Sequence, residues 1–318
     1  MMEANKRIKL SHHSELEFPL IGAGTFEIRK SDDILCAIRV GYRHFDLAES
    51  YNNLNLVRKA FLAAFLSISD GGLGIDRKTI FITMKVLRIR DQSHISDLLK
   101  TVGLEYFDLL LYHTPNYHFT TEETMQTNWR KLILEKNSGK VLQIGVSNYY
   151  KQHLDRLLHF CNDQGLPFPF ANQIMVNPYV FPKETIDFCK YWNIKVIAYC
   201  PLGYLYSRWL LEEPHVTDIA LKLRCNPSQV VLSWLLKQGL YVIPRSSNAE
   251  HLKCNLESNE VNWHMNEVEE HDCEEKMLKL RKSNDEEVVL MIDKSQEAYF
   301  QQIHWGNECI MQPFTLVP

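Results

Sequence analysis

The chain of 318 residues has no long hydrophobic run. Its longest apolar stretch, Ala60 to Leu66, falls far short of the roughly 18 residues a membrane-crossing helix needs, so no membrane partner is expected. A basic excess is also missing: 35 basic residues stand against 39 acidic ones, giving a net charge of −4. With no basic stripe either, nucleic acid is not an expected partner. Eight cysteines (Cys36, Cys161, Cys189, Cys200, Cys225, Cys254, Cys273 and Cys309) are scattered without a C-x-x-C pair. A disulfide scaffold would be denser and a zinc site would pair its ligands closely, so free thiols in a reducing compartment are expected, with no metal. Met1–Leu10 carries Lys6, Arg7 and Lys9 with no apolar core behind them, which predicts a cytoplasmic chain without a leader. Repeats of solenoid length and low-complexity tracts are lacking. So is a glycine-rich dinucleotide fingerprint, since Gly22-Ala23-Gly24 has no third glycine at the required spacing.

What is present is an alternation. A composition of 45% hydrophobic and 23% charged residues is that of an ordinary globular protein. Short apolar runs rich in β-branched and aromatic residues predict strands at Leu20–Ala23, His44–Leu47, Ile80–Lys85, Phe107–Tyr112, Leu142–Val146, Asn172–Val176, Lys195–Tyr199 and Tyr241–Pro244. Helical spacing predicts helices between them, at Asp32–Val40, Leu54–Leu66, His94–Val102, Glu122–Glu135, Lys151–Phe160, Lys183–Tyr191, Val216–Leu223, Pro227–Lys237 and Ala249–Asn255. Ser31 with Asp32 and Asp33 reads as a helix start, and Asn226-Pro227 as another. Repeated strand–helix units over about 250 residues indicate an α/β protein, a closed (β/α)8 TIM barrel. Ile8-Lys9-Leu10 and Leu16-Glu17-Phe18 flank polar Ser11–Ser14 and read as an N-terminal hairpin plugging one barrel end. Ser67–Arg77 is a glycine-rich loop. The barrel is expected to occupy 1–266. Residues 267–318 form an atypical C-terminal extension, charge-rich over Glu269–Glu287 and then apolar or aromatic at Val288–Ile292, Tyr299, Phe300 and Trp305. That apolar content predicts a tail packed on the barrel.

In such a barrel the active site lies at the carboxyl ends of the strands. Polar or titratable side chains stand there on strands two to eight: Asp46 with Tyr51, Lys85, His113, Ser147 with Asn148, Asn172 with Gln173, Tyr199 with Cys200, and Arg245 with Ser246, Ser247 and Asn248. Random placement would not repeat this on seven strands.

These segments resemble the aldo-keto reductases. G-Y-R-H-F-D-L-A-E-S-Y (41–51) is similar to the family signature around its aspartate and tyrosine. F-I-T-M-K (81–85) is similar to the strand bearing its lysine, and D-L-L-L-Y-H-T-P (108–115) to the strand bearing its histidine. I-G-V-S-N-Y (144–149), A-N-Q-I-M-V-N-P-Y (171–179), A-Y-C-P-L-G (198–203) and V-I-P-R-S-S-N (242–248) resemble successive cofactor-contact segments in order. The likeness covers about Ile8 to Asn255. It implies a catalytic tetrad of Asp46, Tyr51, Lys85 and His113. It also implies cofactor contacts at Gly24, Thr25, Phe26, Asp46, Ser147, Asn148, Gln173, Tyr199, Cys200, Leu202, Arg245, Ser246, Ser247, Asn248, His251 and Asn255.

The chemistry is coherent. Reducing a carbonyl with a nicotinamide needs a hydride donor and a proton donor. A phenol is a poor acid at neutral pH, and a neighbouring ammonium favours its ionised form. Lys85, held by Asp46, would tune Tyr51, while His113 orients the carbonyl oxygen. Ser147, Asn148 and Gln173 would meet the nicotinamide amide, Tyr199 would stack on its ring, and Arg245 with Ser246 and Asn248 would take an adenosine 2′-phosphate. The expected cofactor is therefore NADPH (NADP+). NADH is not excluded, because His251 stands where relatives commonly carry an arginine. Asn55 and Arg58 replace a usual glutamate and glycine, and Phe26 and Thr114 replace tryptophans that wall the substrate pocket in many members.

The expected activity is NADPH-dependent reduction of an aldehyde or ketone by a monomer acting on a small-molecule carbonyl substrate. The rival is a nicotinamide-binding barrel kept as a non-catalytic sensor or scaffold, with the C-terminal extension docking a protein partner. A metal-dependent hydrolase would need clustered ligands at strand ends, where only His113 and Asp46 are offered.

Overall fold

The computed structural model describes residues 18–115, 121–263 and 267–281. Eight parallel strands run in sequence order around one sheet: β1 (Ala23–Gly24), β2 (His44–Ala48), β3 (Phe81–Val86), β4 (Phe107–Tyr112), β5 (Val141–Ser147), β6 (Ala171–Met175), β7 (Lys195–Tyr199) and β8 (Tyr241–Ile243). The sheet closes on itself: Ile21 bridges Val242 in parallel, Gly22 N–H donates to Val242 O at 2.8 Å and Gly24 N–H to Pro244 O at 3.0 Å. The expected (β/α)8 barrel is therefore the fold. Outside it lie α1 (Ser31–Val40), α2 (Leu54–Phe65), α3 (His94–Val102), α4 (Glu122–Asn137), α5 (Lys151–Asp163), α6 (Lys183–Tyr191), a short α7 (Ser207–Leu211), α8 (Pro214–Leu223), α9 (Pro227–Lys237), α10 (Ala249–Leu256) and α11 (Glu267–Lys279). No described helix is long and apolar enough to cross a membrane.

Two packed regions result from the period-2 alternation of the strands. Outward side chains such as Phe45, Leu47, Ile82, Met84, Leu110 and Val196 bury against the helices. Inward ones such as Phe81, Leu109, Leu111, Ala171, Ile197 and Ile243 fill the barrel. Phe18 enters at the amino-terminal end, with its ring 4.7 Å from Phe81, 5.8 Å from Phe170 and 4.5 Å from Tyr241. The rest of the expected plugging hairpin lies outside the described residues. Glycine occurs on the inner wall where the interior is crowded. A Cβ on Gly145 of β5 would stand 2.4 Å from the carbonyl oxygen of Ala171 and 2.8 Å from Leu111.

Local differences from the sequence reading have physical causes. The first strand starts later than Leu20, which is half exposed, because Leu20–Gly22 spend their hydrogen bonds on β8 rather than β2. Ser31 is the first residue of α1 rather than its cap; Lys30 takes the cap position without a side-chain bond, while Asp32 and Asp33 sit in the first turn against the helix dipole. Asn226 and Gln229 form a reciprocal capping box with Pro227 at the first turn of α9. Arg58 donates to Lys100 O at 2.5 Å and so pins α2 to the end of α3.

The chain beyond α10 returns over the outer helices. Trp263 is buried, donates to Ser233 Oγ at 3.3 Å and lies under the Lys237 ammonium. Helix α11 packs against α8 through Cys273, Met277 and Leu280, which are buried and spaced four and three apart. Lys237 ties it down through Glu270 and Glu274. Residues 282–318, with the apolar and aromatic segment 288–305, lie outside the described residues.

Gly145→Ala should destabilise the barrel by about 1–3 kcal/mol, the usual range for overpacking, because both close neighbours belong to adjoining strands. Urea unfolding monitored by circular dichroism measures it; an unchanged midpoint would show that the β4–β6 wall has slack to give.

Candidate active site

The carboxyl ends of the strands converge on one buried charge group. Asp46 of β2 and Lys85 of β3 both point inward, two positions apart in the pairing register, in which Asp46 lies opposite Thr83. The Lys85 ammonium donates to Asp46 Oδ2 and, at 2.8 Å, to Gln173 Oε1 of β6. Gln173 closes the triangle by donating from Nε2 to Asp46 Oδ1 at 2.6 Å. All three side chains are buried. Burial lowers the pKa of Lys85, and the carboxylate of Asp46 pulls it back up. An ammonium in such a place holds its proton only through these partners.

Tyr51 stands over this group. It ends a 3₁₀ turn (Glu49–Tyr51) that follows β2, and Asn52 then turns the chain at φ 54°. The Lys85 ammonium lies 5.0 Å from the Tyr51 ring centroid, and the His113 ring centroid lies 6.0 Å from it. Phe26 packs on its other side at 5.1 Å. His113 directly follows β4. Burial first, and then the charge of Lys85, hold its pKa well below the usual imidazole value, so it is neutral at pH 7. Ser50 Oγ lies 3.4 Å from its Nδ1. The four residues expected as a tetrad therefore occupy one place.

The residues expected to hold a cofactor fall into two groups. Around the buried triangle, Ser147 donates to Gln173 O at 2.8 Å, and Asn148, at φ 62°, donates to His113 O at 2.9 Å. The Tyr199 hydroxyl donates to Asn148 Oδ1 at 2.8 Å, which fixes the ring at the rim of the site. Thr25 donates to Asp46 O at 2.8 Å. Cys200 has φ 49°, and burial pushes its thiol up to about 12. Gly24 has room for the chain to pass close to Ile243 O and Arg245, and Leu202 is part-buried beside the core.

The second group gathers at the amino end of α10. Asn248 caps that helix by accepting from His251 N–H at 3.0 Å, and Ser246 Oγ accepts from Asn248 N–H at 3.0 Å. Ser247 and His251 are exposed beside them, while Asn255 is buried further along α10. Arg245 leads into this turn. A helix amino terminus with a guanidinium beside it suits a phosphate. A fixed aromatic ring, an amide-bearing wall and an anion cradle together fit a dinucleotide, with Tyr199 and Asn148 at one end and Arg245 to Asn248 at the other.

The sequence reading assigned Gln173 to the cofactor alone and missed that it joins Asp46 to Lys85; nothing in residue type distinguishes the two roles. It also passed over Glu27, whose carboxylate pairs with Arg245, and Ser50 beside His113. Groups of three or more potential metal ligands are lacking among the described residues.

A barrel with this acid, base and cation set at its strand ends is that of a nicotinamide-dependent oxidoreductase. The chain belongs to the aldo/keto reductase family, whose model matches residues 28–273. It is 33% identical over 276 residues to glycerol 2-dehydrogenase (NADP(+)) of Saccharomyces cerevisiae, covering 77% of this chain and 84% of the relative. It is 30% identical over 266 residues to D-galacturonate reductase of Hypocrea jecorina, covering 76% and 82%. Among solved structures, it resembles the aldo-keto reductase MGS-M4 from a deep-sea metagenome library with a TM-score of 0.70 and 29% identity, covering 83% of this chain and 92% of that one. The protein is thus an NAD(P)H-dependent oxidoreductase acting in carbonyl reduction.

Three histidines are held below their usual pKa mainly by burial: His113, His44 at about 3 and His153 at about 4. Unfolding restores them to about 6.5, so below that pH the unfolded chain binds more protons and stability falls. Urea midpoints should be flat from pH 7 to about 8 and decline from about pH 6.5 downward, the His153 share being spent by about 4 and the His44 share by about 3. A midpoint unchanged between pH 7 and pH 5 would contradict the neutral burial of these rings.

Proposed function

We propose that the protein reduces an aldehyde or ketone to an alcohol with NADPH, and that Tyr51 delivers the proton. The observation that carries this reading is the Lys85–Asp46–Gln173 triangle buried under the Tyr51 ring. A bound nicotinamide supplies the hydride.

The chain's own residues supply the rest. His113, neutral and backed by Ser50 at Nδ1, can donate from Nε2 to a carbonyl oxygen at the mouth and hold it toward Tyr51. As negative charge develops on that oxygen, the Tyr51 hydroxyl passes its proton across. The phenolate left behind faces the Lys85 ammonium, which Asp46 keeps protonated. Placing a fixed cation where charge appears, in a site shielded from water, is what makes the step favourable. Tyr199 presents its ring face to the nicotinamide, and Asn148 and Ser147 line its amide. Phe26 and the buried Thr114 wall the substrate side with less bulk than tryptophans would. Arg245, Ser246, Ser247 and Asn248 take the adenosine 2′-phosphate at the start of α10. Within this reading, 1–266 is the reductase unit and 267–318 an extension to it.

Tyr51→Phe removes only the hydroxyl. Cofactor should still bind, while turnover with a panel of aldehydes falls by roughly 10²–10⁴, the usual contribution of a positioned proton donor. Near wild-type turnover would refute the assignment. If the wild-type protein itself binds cofactor but consumes none with any carbonyl, the sensor reading replaces this one.

Arg245→Ala should weaken NADP+ binding by about 1.5–3 kcal/mol, the size of a charge-assisted hydrogen bond, with a much smaller effect on NAD+. Isothermal titration with both nucleotides decides it: equal losses would move Arg245 from the 2′-phosphate to a contact that both share.

A further inference from the structure

We propose that Glu27 sets the protein's preference between NADPH and NADH, by holding the guanidinium that the 2′-phosphate must take. The proposal rests on the reading of Arg245 as the phosphate site.

Arg245 follows β8 and Glu27 lies in the loop after β1, so the two face each other across the place where the barrel closes. Arg245 NH2 pairs with Glu27 Oε2 at 2.5 Å. Both side chains are about two-fifths exposed, 40% and 41%, so each is within reach of a ligand arriving from solvent. Glu27 has φ 58°, a left-handed conformation that a residue with a Cβ adopts only when its surroundings hold it there. The phenol of Tyr204, on the loop after β7, feels the same carboxylate: burial is the main cause of its raised pKa and the charge of Glu27 the next. Phe26 packs against Tyr204 at 6.3 Å. Three loops at the mouth of the site thus converge on one carboxylate.

The neighbours of Arg245 are neutral: Ser246 Oγ accepts from Asn248 N–H and Asn248 Oδ1 from His251 N–H, which leaves their own donors for a phosphate but gives it no charge. A 2′-phosphate docking there needs the guanidinium, and the guanidinium already has an anion. Phosphate binding must break the Arg245–Glu27 pair, and the displaced carboxylate then stands close to a dianion. NADH carries a neutral hydroxyl at the same position, so it leaves the pair intact. Glu27 therefore subtracts from NADPH affinity and not from NADH affinity. The size follows from the pair: an exposed ion pair of this kind is equivalent to about a fivefold change in affinity.

The test is a set of dissociation constants for NADP+ and NAD+, by isothermal titration, on the full chain with Glu27→Gln, Arg245→Ala and both together. Glu27→Gln should tighten NADP+ about fivefold and leave NAD+ within twofold. In the Arg245→Ala background the gain should shrink below twofold, because there is no guanidinium left to release. Glu27→Ala should give the same ranking, and a melting curve for each variant confirms folding. If Arg245→Ala weakens NADP+ selectively while Glu27→Gln leaves NADP+ unchanged or weaker, the carboxylate supports Arg245 rather than competing for it, and the proposal is overturned. If Arg245→Ala weakens both nucleotides equally, the phosphate assignment fails and the proposal falls with it.

Discussion

An ammonium buried in the middle of a barrel is the constraint from which much of this structure follows. Lys85 is 1% exposed, and a lone charge in that position would lose its proton or unfold the chain. It survives because Asp46 and Gln173 arrive from two other strands to take its hydrogen bonds. Three strands must therefore keep a fixed register, and the barrel provides it. Other elements serve the same group: Ser147 and Asn148 hold the main chain of Gln173, Thr25 holds that of Asp46, and Asn53 donates to Thr25 O at 2.7 Å. Removing Lys85 or Asp46 would leave a buried charge without its partner, an expensive outcome in a protein, and removing Gln173 would strip a hydrogen bond from each of them.

Polar and packing roles are separated by the alternation of the strands. On β2, Phe45 and Leu47 face the helices while His44 and Asp46 face the axis. The inward side grades from aromatic at the amino end, where Phe18 and Phe81 meet, to charged at the carboxyl end. Apolar filling below the site keeps it from opening to water through the barrel floor. The neutral His44, bonded to Thr83 Oγ1 at 3.0 Å, marks the boundary between the two layers.

Much of this was legible in the sequence, and what was not has identifiable reasons. β4 and β7, and helices α3, α6 and α9, begin and end at the expected residues; α3 between Ser93 and Gly103, and α9 between Asn226 and Gln238, are clean apolar periods bounded by polar or glycine residues. The meeting of Asp46, Tyr51, Lys85 and His113 in one place was legible too, because Lys85 and His113 stand at or just past the end of an apolar run and Asp46 interrupts one in the middle of β2. β1 was less so, because two residues carry too little pattern and its neighbours Leu20–Gly22 bond to the last strand in the chain. Helix α11 was hidden by its charge, since the spacing of the buried Cys273 and Met277 is obscured by the acidic and basic residues around them. The second role of Gln173 and the pairing of Glu27 with Arg245 depend on contacts 127 and 218 residues apart; no local pattern reports such distances.

The closure of the barrel has a consequence of its own. β1 contributes only two residues, and the β1–β8 seam rests on a few main-chain bonds: Gly22 and Gly24 donating to β8 and its exit, and Val242 donating back. The β1–β2 joint on its other side is equally short, with two paired residues, whereas β2–β3, β3–β4, β4–β5 and β6–β7 are ladders of four or five. The cylinder therefore has little main-chain hold on either side of β1, much as a split ring is weakest at its gap. The loops that leave the gap carry Phe26, Glu27 and Arg245, so the most pliant part of the wall is also the part a large, elongated ligand must slide past to enter and leave.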